Sequence, residues 1–326
     1  MRLTAFDPPS LRALEHALHA GRTCTLATDR LPRSWRSSQI LPCFDGVDVP
    51  SHTMQRTLRA QLPPTGQQGK KGPRVTAVIP THRQTPVGLQ ALRDQDLPVE
   101  VLVLANGPVA PQGDRVLRVP WLGHGPTRQA ALEHIDSEYL LFTVDDALPR
   151  GRGCVRALIQ ALEDGGYDAV TGRQVPWPTA DPLTRRRLAQ WTPFGTQHSP
   201  RPWSDHVFTL LRTETLRAHP LPSVPIGEDM LWSRGKRIGY APQAPVIHSH
   251  VRDPKALYQR TRDLHLQHQL AGDAATVPSL SALVAALPGT LRPTLEGGPG
   301  EFMCQLAELA GQLRASQLSG RRQRED

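Results

Sequence analysis

The sequence YLLFTVDD, residues 139–146, decides the fold class. Its first six residues form a run without charge, which a strand needs when helices cover both faces of its sheet. Two further apolar-rich runs precede it, at residues 75–79 and at residues 99–104, where Glu100 is the one charged residue, with a helix-compatible segment at residues 88–95 between them. Strand, loop, helix and parallel strand in this order are the unit of α/β proteins. The sequence therefore predicts an α/β fold with a mostly parallel central sheet flanked by helices.

The same alternation continues toward the C-terminal part of the chain. Further strands are predicted at residues 115–119, 168–171 and 246–247, and helices at residues 127–135, 155–162, 230–235, 256–270 and 302–318. Residues 176–225 are rich in proline and tryptophan and show no regular period, which predicts irregular structure there.

Changes in composition divide the chain into three parts. Residues 1–72 are predicted to be an N-terminal extension, with a short helix after Pro8 and a linker at residues 62–73 that is rich in Gly, Pro, Gln and Lys. Residues 73–270 form the α/β domain. Residues 271–326 form a C-terminal helical segment with a disordered tail, which we expect to take up the last eight residues.

Charge and composition narrow the class of protein. The 326 residues carry a net charge of +8 but contain no zinc finger, no aromatic RNA-binding strand and no long basic run except RRQR at residues 321–324. We therefore expect no nucleic-acid partner and keep a basic nucleic-acid-binding module as an alternative, which salt-sensitive binding would reveal. The four cysteines form no CxxC pair, and there is no signal peptide or long apolar run, which predicts a cytoplasmic protein. Peripheral association with the inner membrane face and the oligomeric state are left open.

Polar residues follow three of the predicted strands. Pro80, Thr81 and Arg83 follow the first, Asn106 the second, and Asp145 with Asp146 the strand at residues 139–144. Ligands of open parallel sheets bind at the carboxyl ends of the strands. Two adjacent carboxylates there indicate a divalent cation, which prefers oxygen ligands and bridges to phosphates. The alternative is a helix N-cap, since a helix can begin near residue 149.

Three more clusters carry possible chemistry. Gly123 and Arg128 flank a loop-to-helix junction that could hold an anion, although a plain turn is the common explanation. Glu228 and Asp229 lie just ahead of a predicted helix. A carboxylate there is usually a helix cap, and the alternative is a general base that removes a proton from an acceptor hydroxyl. His248 and His250 alternate after a strand, so that both imidazoles lie on one face and can ligate a metal.

The order of these clusters resembles the family two glycosyltransferases of the GT-A fold, over residues 74–270. VTAVIPT (75–81) resembles the opening strand with its nucleotide loop, and GHGPTRQA (123–130) the glycine-rich segment. LFTVDDALP (141–149) resembles the aspartate motif that binds ribose and metal, and GEDMLW (227–232) the motif with the catalytic base.

Within that family, TGRQ (171–174), the ED-x-x-W spacing and VIHSH (246–250) look most like bacterial rhamnosyltransferases. Two departures stand out. Asn106 replaces an aspartate-rich turn that holds the nucleotide base, and Val144 stands where many members have the first of three acidic residues.

The resemblance implies an inverting glycosyltransferase that moves a sugar, with rhamnose favoured, from a nucleotide-diphosphate donor to a hydroxyl acceptor on a glycan, a lipid-linked molecule or a small molecule. Asp146 would bind Mg²⁺ or Mn²⁺, with His248 and His250 as competing further ligands. Asp229 would be the catalytic base, and Glu228 would orient the loop or bind acceptor hydroxyls. The nucleotide sugar would contact Pro80, Thr81, Arg83, Asn106, Gly123, Arg128 and Asp145.

Trp232 and Trp177 are candidates for stacking on an acceptor sugar, with core packing as the alternative. The alternative function is a catalytically degenerate GT-A protein that binds a nucleotide sugar without transferring it. Asn106 and the shortened acidic motif are the features that favour it.

Overall fold

The computed structural model describes residues 1–27, 37–47, 72–250 and 253–322. The predicted linker at residues 62–73 lies outside them, apart from its last two residues. The final four residues of the predicted disordered tail also lie outside them.

Short β-strands are distributed along the described chain. They are β1 (Arg2–Leu3), β2 (Thr25–Leu26), β3 (Gly46–Val47), β4 (Val75–Thr81), β5 (Val99–Ala105), β6 (Arg115–Arg118), β7 (Tyr139–Thr143), β8 (Leu148–Pro149), β9 (Ala169–Val175), β10 (Ser199–Arg201), β11 (Phe208–Arg212) and β12 (Ile238–Ile247).

Helices alternate with these strands. They are α1 (Pro8–His19), α2 (Ser37–Ile40), α3 (Leu89–Arg93), α4 (His124–Gln129), α5 (Cys154–Gly165), α6 (Pro182–Trp191), α7 (Thr213–Ala218), α8 (Glu228–Trp232), α9 (Pro254–Leu270) and α10 (Leu280–Arg322), with 3₁₀ turns at Leu41–Cys43 and Leu132–His134.

The central sheet has nine strands, in the order β10-β12-β9-β11-β7-β4-β5-β6, with β8 paired to β12. Strands β7, β4, β5 and β6 pair in parallel, as do β9 and β12. The antiparallel strand β11 lies between β7 and β9 and joins these two parallel groups. The predicted α/β fold with a mostly parallel sheet is therefore confirmed, and the carboxyl ends of β4, β5, β7, β9 and β12 share one edge.

Apolar side chains cover both faces of this sheet, as the uncharged run at residues 139–144 requires. One core includes Val101, Leu141 and the inner face of α5. The other includes Leu102, Phe142 and Trp232. Neighbouring residues of β5 and β7 thus point to opposite cores, which fixes the strand register.

The N-terminal residues pack beside the carboxyl ends of β9 and β12. Leu14 and Leu18 of α1 share a buried cluster with Val175, Trp177 and Ile247. The Arg150 guanidinium donates to the Pro42 carbonyl at 2.9 Å and to the Asp45 carboxylate at 2.7 Å. The helix predicted after Pro8 forms as α1 and is N-capped by Asp7.

Other elements differ from the prediction. Only α4 and a 3₁₀ turn occupy residues 127–135, because the helix begins earlier, at His124, and ends at Gln129. The segment at residues 176–225 contains α6, β10, β11 and α7 rather than irregular structure alone. Helix α10 runs through residues 319–322, which were predicted to be disordered, and its Glu301 and Glu308 pair with Arg186 and Arg187 of α6.

No helix among the described residues has both the length and the apolar character that crossing a membrane requires.

Candidate active site

Asp145 and Asp146 lie in a turn between β7 and β8. The next helix is α5, which begins at Cys154 after an N-cap at Gly153. The helix-cap interpretation of the two aspartates is therefore wrong. The Val87 amide donates to the Asp145 carbonyl at 2.8 Å, and a Cβ on Gly88 would lie 2.4 Å from the Ala147 carbonyl oxygen. The turn is thus held against Val87 and Gly88, and a side chain at residue 88 would collide with the turn.

The carboxylate of Asp145 is engaged by the loop after β4. Thr81 Oγ1 donates to Asp145 Oδ2 at 2.6 Å, and Arg83 Nε lies 3.3 Å from the same oxygen. The Arg83 amide in turn donates to Thr81 Oγ1 at 2.9 Å. The structure therefore brings together three residues predicted to contact the nucleotide. The Arg83 side chain stays 46% exposed, so it can also reach a ligand.

Asp146 faces two histidines that follow β12. Its Oδ1 lies 3.5 Å from His248 Nε2, and its Oδ2 lies 3.6 Å from His250 Nδ1. One ligand atom from each of these three residues lies within 4.8 Å of the others. The pairing of β8 with the end of β12 creates this proximity, because Leu148 lies opposite Ile247.

His248 is oriented so that Nε2 can accept a metal. Its Nδ1 lies 3.0 Å from Gln174 Oε1, which can only accept, so the proton sits on Nδ1 and the Nε2 lone pair faces Asp146. Burial, with smaller effects from His250 and Arg260, lowers the pKa of His248 to about 3. The imidazole is therefore neutral near pH 7, which metal ligation requires. His250 is more open, with a side chain that is 54% exposed.

The other predicted nucleotide residues lie along the same edge. Pro80 belongs to β4, and the Asn106 amide nitrogen after β5 donates to Thr81 O at 2.9 Å through the backbone. The Asn106 side chain donates from Nδ2 to the Val119 carbonyl at 3.0 Å. Its side-chain amide thus ties two loops together.

The glycine-rich segment packs closely against the loop before α8. Gly123 has a φ of 95°, and the His124 amide donates to the Pro225 carbonyl at 3.2 Å. A Cβ on Gly125 would lie 2.4 Å from the Pro222 carbonyl oxygen and 3.1 Å from Glu228 Cβ. The glycines therefore allow the start of α4 to contact the backbone of the loop before α8.

Arg128 and Glu228 form a buried ion pair between these two helices. Arg128 Nη1 donates to Glu228 Oε1 at 2.8 Å, and the two side chains are 5% and 4% exposed. His206 Nδ1 lies 3.3 Å from the same Glu228 oxygen. Burial opposes the charge, but the His206 hydrogen bond and the Arg128 charge together lower the pKa of Glu228.

This ion pair corrects two expectations. Arg128 was expected to contact the nucleotide sugar, but its guanidinium is turned into the protein, toward Glu228. Glu228 was expected to orient the loop or bind acceptor hydroxyls, and its burial leaves only the first role. His206 was not predicted at all, because it lies within residues 176–225, where no pattern singled it out.

Asp229 differs from its neighbour because its carboxylate is half-buried and not ion-paired among the described residues. Its Oδ1 accepts from the Met230 amide at 2.8 Å, and its Oδ2 lies 3.4 Å from the His206 amide. The hydroxyl of Ser233 donates to the Asp229 carbonyl at 2.7 Å. The backbone is thus fixed, while the carboxylate has free lone pairs.

Both tryptophans predicted to stack on an acceptor sugar are core residues. Trp232 is 4% exposed, and its indole nitrogen donates to the His219 carbonyl at 2.7 Å. Trp177 is 7% exposed and stacks on His19 with ring centroids 4.3 Å apart. Neither ring has a free face for a sugar. Residue type alone does not reveal burial, and the alternative of core packing is the correct one for both.

No family model matches the sequence. The O-antigen chain rhamnosyltransferase WbaN of Salmonella anatum is 27% identical over a match that covers 44% of this chain and 52% of that protein. The chain thus spans about half the length of the curated relative it matches. Among solved structures, the mannosyltransferase PcManGT of Pyrobaculum calidifontis, in complex with GDP-Man and Mn²⁺, is 17% identical.

That structure matches 95% of this chain and 98% of its own, with a TM-score of 0.52. The curated relative and the solved structure are both glycosyltransferases, which supports the resemblance that the motifs show. The predicted fold is confirmed: this chain has the GT-A type of glycosyltransferase fold.

Proposed function

We propose that this protein is a metal-dependent glycosyltransferase that uses a nucleotide-diphosphate sugar. One observation carries the proposal: Asp146, His248 and His250 converge within 4.8 Å at the carboxyl edge of the sheet, where the Thr81–Arg83–Asp145 cluster also lies. The relatives support it, since one is named a rhamnosyltransferase and the other binds GDP-Man and Mn²⁺.

The donor atoms fit a divalent transition metal. Asp146 provides a carboxylate oxygen, His248 a neutral Nε2 held by Gln174, and His250 an exposed imidazole. Mg²⁺ prefers oxygen ligands, so two imidazoles favour Mn²⁺ over Mg²⁺. The metal, when bound, supplies positive charge to the diphosphate as negative charge develops on it.

Asp229 is the proposed general base. Its carboxylate takes the proton of the acceptor hydroxyl, and the hydroxyl oxygen forms a bond to the anomeric carbon of the donor sugar. The bond from that carbon to the diphosphate breaks, and the electron pair leaves with the nucleoside diphosphate. Attack opposite the leaving group inverts the anomeric configuration. Glu228 positions Asp229 through its buried pair with Arg128.

The transferred sugar and the acceptor are part of the proposal. Rhamnose is proposed as the transferred sugar because of TGRQ (171–174), VIHSH (246–250) and the name of the Salmonella relative. A hydroxyl on a glycan, a lipid-linked molecule or a small molecule is proposed as the acceptor. Location in the cytoplasm and peripheral contact with the inner membrane face stay predictions.

A donor panel with Mn²⁺, read by released nucleoside diphosphate, tests the proposal. The Asp229→Asn variant should lose about 10²–10⁴-fold in rate, as expected for the loss of a general base. Asp263→Asn is the matched control, because the Asp263 side chain on α9 is 47% exposed and pairs with its neighbour Arg262. Near-normal turnover of a folded Asp229→Asn protein would refute the base assignment.

The second candidate is a degenerate protein that binds a nucleotide sugar without transferring it. The observation that favours it is Asn106, whose amide is used on the Val119 carbonyl rather than offered to a base. Such a protein would bind a donor in calorimetry and release no nucleoside diphosphate. Release above the level of Asp229→Asn excludes this candidate.

A further inference from the structure

Helix α9 extends from the metal-ligand cluster (Asp146, His248 and His250) toward the start of α8, which carries Asp229. It begins at Pro254, soon after His250, and its later turns pack on Gly227, which directly precedes Glu228 and Asp229 at the start of α8. A Cβ on Gly227 would lie 2.7 Å from Leu264 Cδ1 and 3.3 Å from His268 Nε2. The face of α9 that bears Leu264 and His268 therefore points at the start of α8.

Arg260 lies on this same face. Residues four apart on a helix are stacked one above the other, so Arg260, Leu264 and His268 form a single row. Arg260 is one turn closer to the beginning of α9 than Leu264. Along the helix, Arg260 is therefore placed between the turn that packs on Gly227 and the start of α9 near His250.

The electrostatic effect of Arg260 agrees with this position. Burial, then Arg128, and further the Arg260 charge lower the pKa of His124, which contacts the loop before α8. The same guanidinium acts on His248 of the metal cluster, after burial and His250. The Arg260 charge thus acts on His124, next to the loop before α8, and on His248 in the metal-ligand cluster.

Arg260 is exposed and has no hydrogen-bond or ion-pair partner among the described residues. The arginines around it differ in this respect, since Arg262 pairs with Asp263 and Arg234 with Asp273. A guanidinium that pairs with no carboxylate and lies near the proposed metal site is suited to bind an anion that also contacts the metal.

We propose that Arg260 binds the diphosphate of the donor from the side opposite the metal ligands, an inference that rests on the proposed function. Its planar fork of donors matches two phosphate oxygens, one on each phosphate or both on one. The anion would then be held between the metal at Asp146 and the guanidinium on α9. Arg260 takes the anion-binding role that the sequence suggested for Arg128, whose own guanidinium is buried against Glu228.

Calorimetric titration with UDP, GDP and dTDP, each with Mn²⁺, tests the proposal. The Arg260→Ala variant should bind the preferred diphosphate about 10- to 100-fold more weakly, as for the loss of a charge-assisted hydrogen-bond pair. Arg260→Lys, which keeps the charge but not the fork, should fall between wild type and Arg260→Ala. Lys255→Ala removes an exposed cation from the same helix and should change affinity by about twofold or less.

The corresponding nucleosides, which lack the phosphates, should bind wild type and Arg260→Ala equally. Equal diphosphate affinity in wild type and Arg260→Ala would overturn the role of Arg260 and leave the proposed function standing. If the wild-type protein bound none of the three diphosphates, the proposed function itself would be overturned, and this inference with it.

Discussion

Replacing Arg128 with methionine should destabilise the protein strongly. The substitution keeps an unbranched apolar stem but leaves the Glu228 carboxylate buried without its cation. Since the two side chains are 5% and 4% exposed, water cannot replace the lost partner. Removing one partner of a buried ion pair costs about 3–5 kcal/mol. We expect the free energy of unfolding to fall by about that amount.

Equilibrium unfolding in urea, followed by circular dichroism, measures this change. The matched control is Arg74→Met, which breaks the Arg74–Asp136 pair, where the side chains are 65% and 75% exposed. Exposed pairs contribute about 0–1 kcal/mol, so the control should be nearly neutral. The two substitutions remove the same chemical group and differ chiefly in burial.

The double variant Arg128→Met/Glu228→Leu removes both charges and should recover much of the lost stability. Its nucleoside diphosphate release should stay low, because Asp229 has lost the anchor beside it. An Arg128→Met variant that loses less than about 1 kcal/mol, or a double variant that loses the sum of the two single effects, would refute this account of the pair.

Three further predictions address the metal cluster and the turn that holds it. Mn²⁺ should raise the midpoint of thermal unfolding of the wild type, and Asp146→Asn should abolish that rise; an unchanged rise would place the ion elsewhere. Gln174→Leu, which frees His248 Nδ1, should weaken Mn²⁺ binding by about 10- to 100-fold in an electron paramagnetic resonance titration, whereas Gln243→Leu on β12, which only loses a bond to the Thr196 carbonyl, should not. Gly88→Ala should lower the free energy of unfolding by about 1–3 kcal/mol, because its Cβ would meet Ala147 O at 2.4 Å. Gly300→Ala, with open space around it in helix α10, should raise the free energy of unfolding by about 0.5–1 kcal/mol. Urea unfolding that gave both changes the same sign would contradict the steric argument.

The sequence was informative where local pattern and position along a strand coincide. The uncharged run at residues 139–144 predicted β7, and Asp145 and Asp146 were placed at its end without reference to any partner. His248 and His250 were assigned to one face by the period of a strand, and the structure brings them to Asp146. These predictions depend on neighbouring residues alone, which is why they could be made.

What could not be predicted depends on contacts between distant segments. Strand β11 is a short run, FTLLR, inside a region with no period, and only its two neighbours in the sheet make it a strand. The inward turn of Arg128 depends on Glu228, a hundred residues away. The burial of Trp177 depends on the N-terminal segment that supplies His19.

The position of β11 also bears on the order in which the chain can assemble. Strands β4, β5, β6 and β7 are close in sequence and can pair as they are synthesised, before Phe208–Arg212 exists to continue the sheet from β7 to β9. Contacts over such sequence distances are reached late and slow folding. Asp146 is therefore made with the early half of the sheet and His248 with the late half. A nascent chain would carry an incomplete metal site until β12 has joined, so the capacity to hold the ion should be among the last properties to appear during folding.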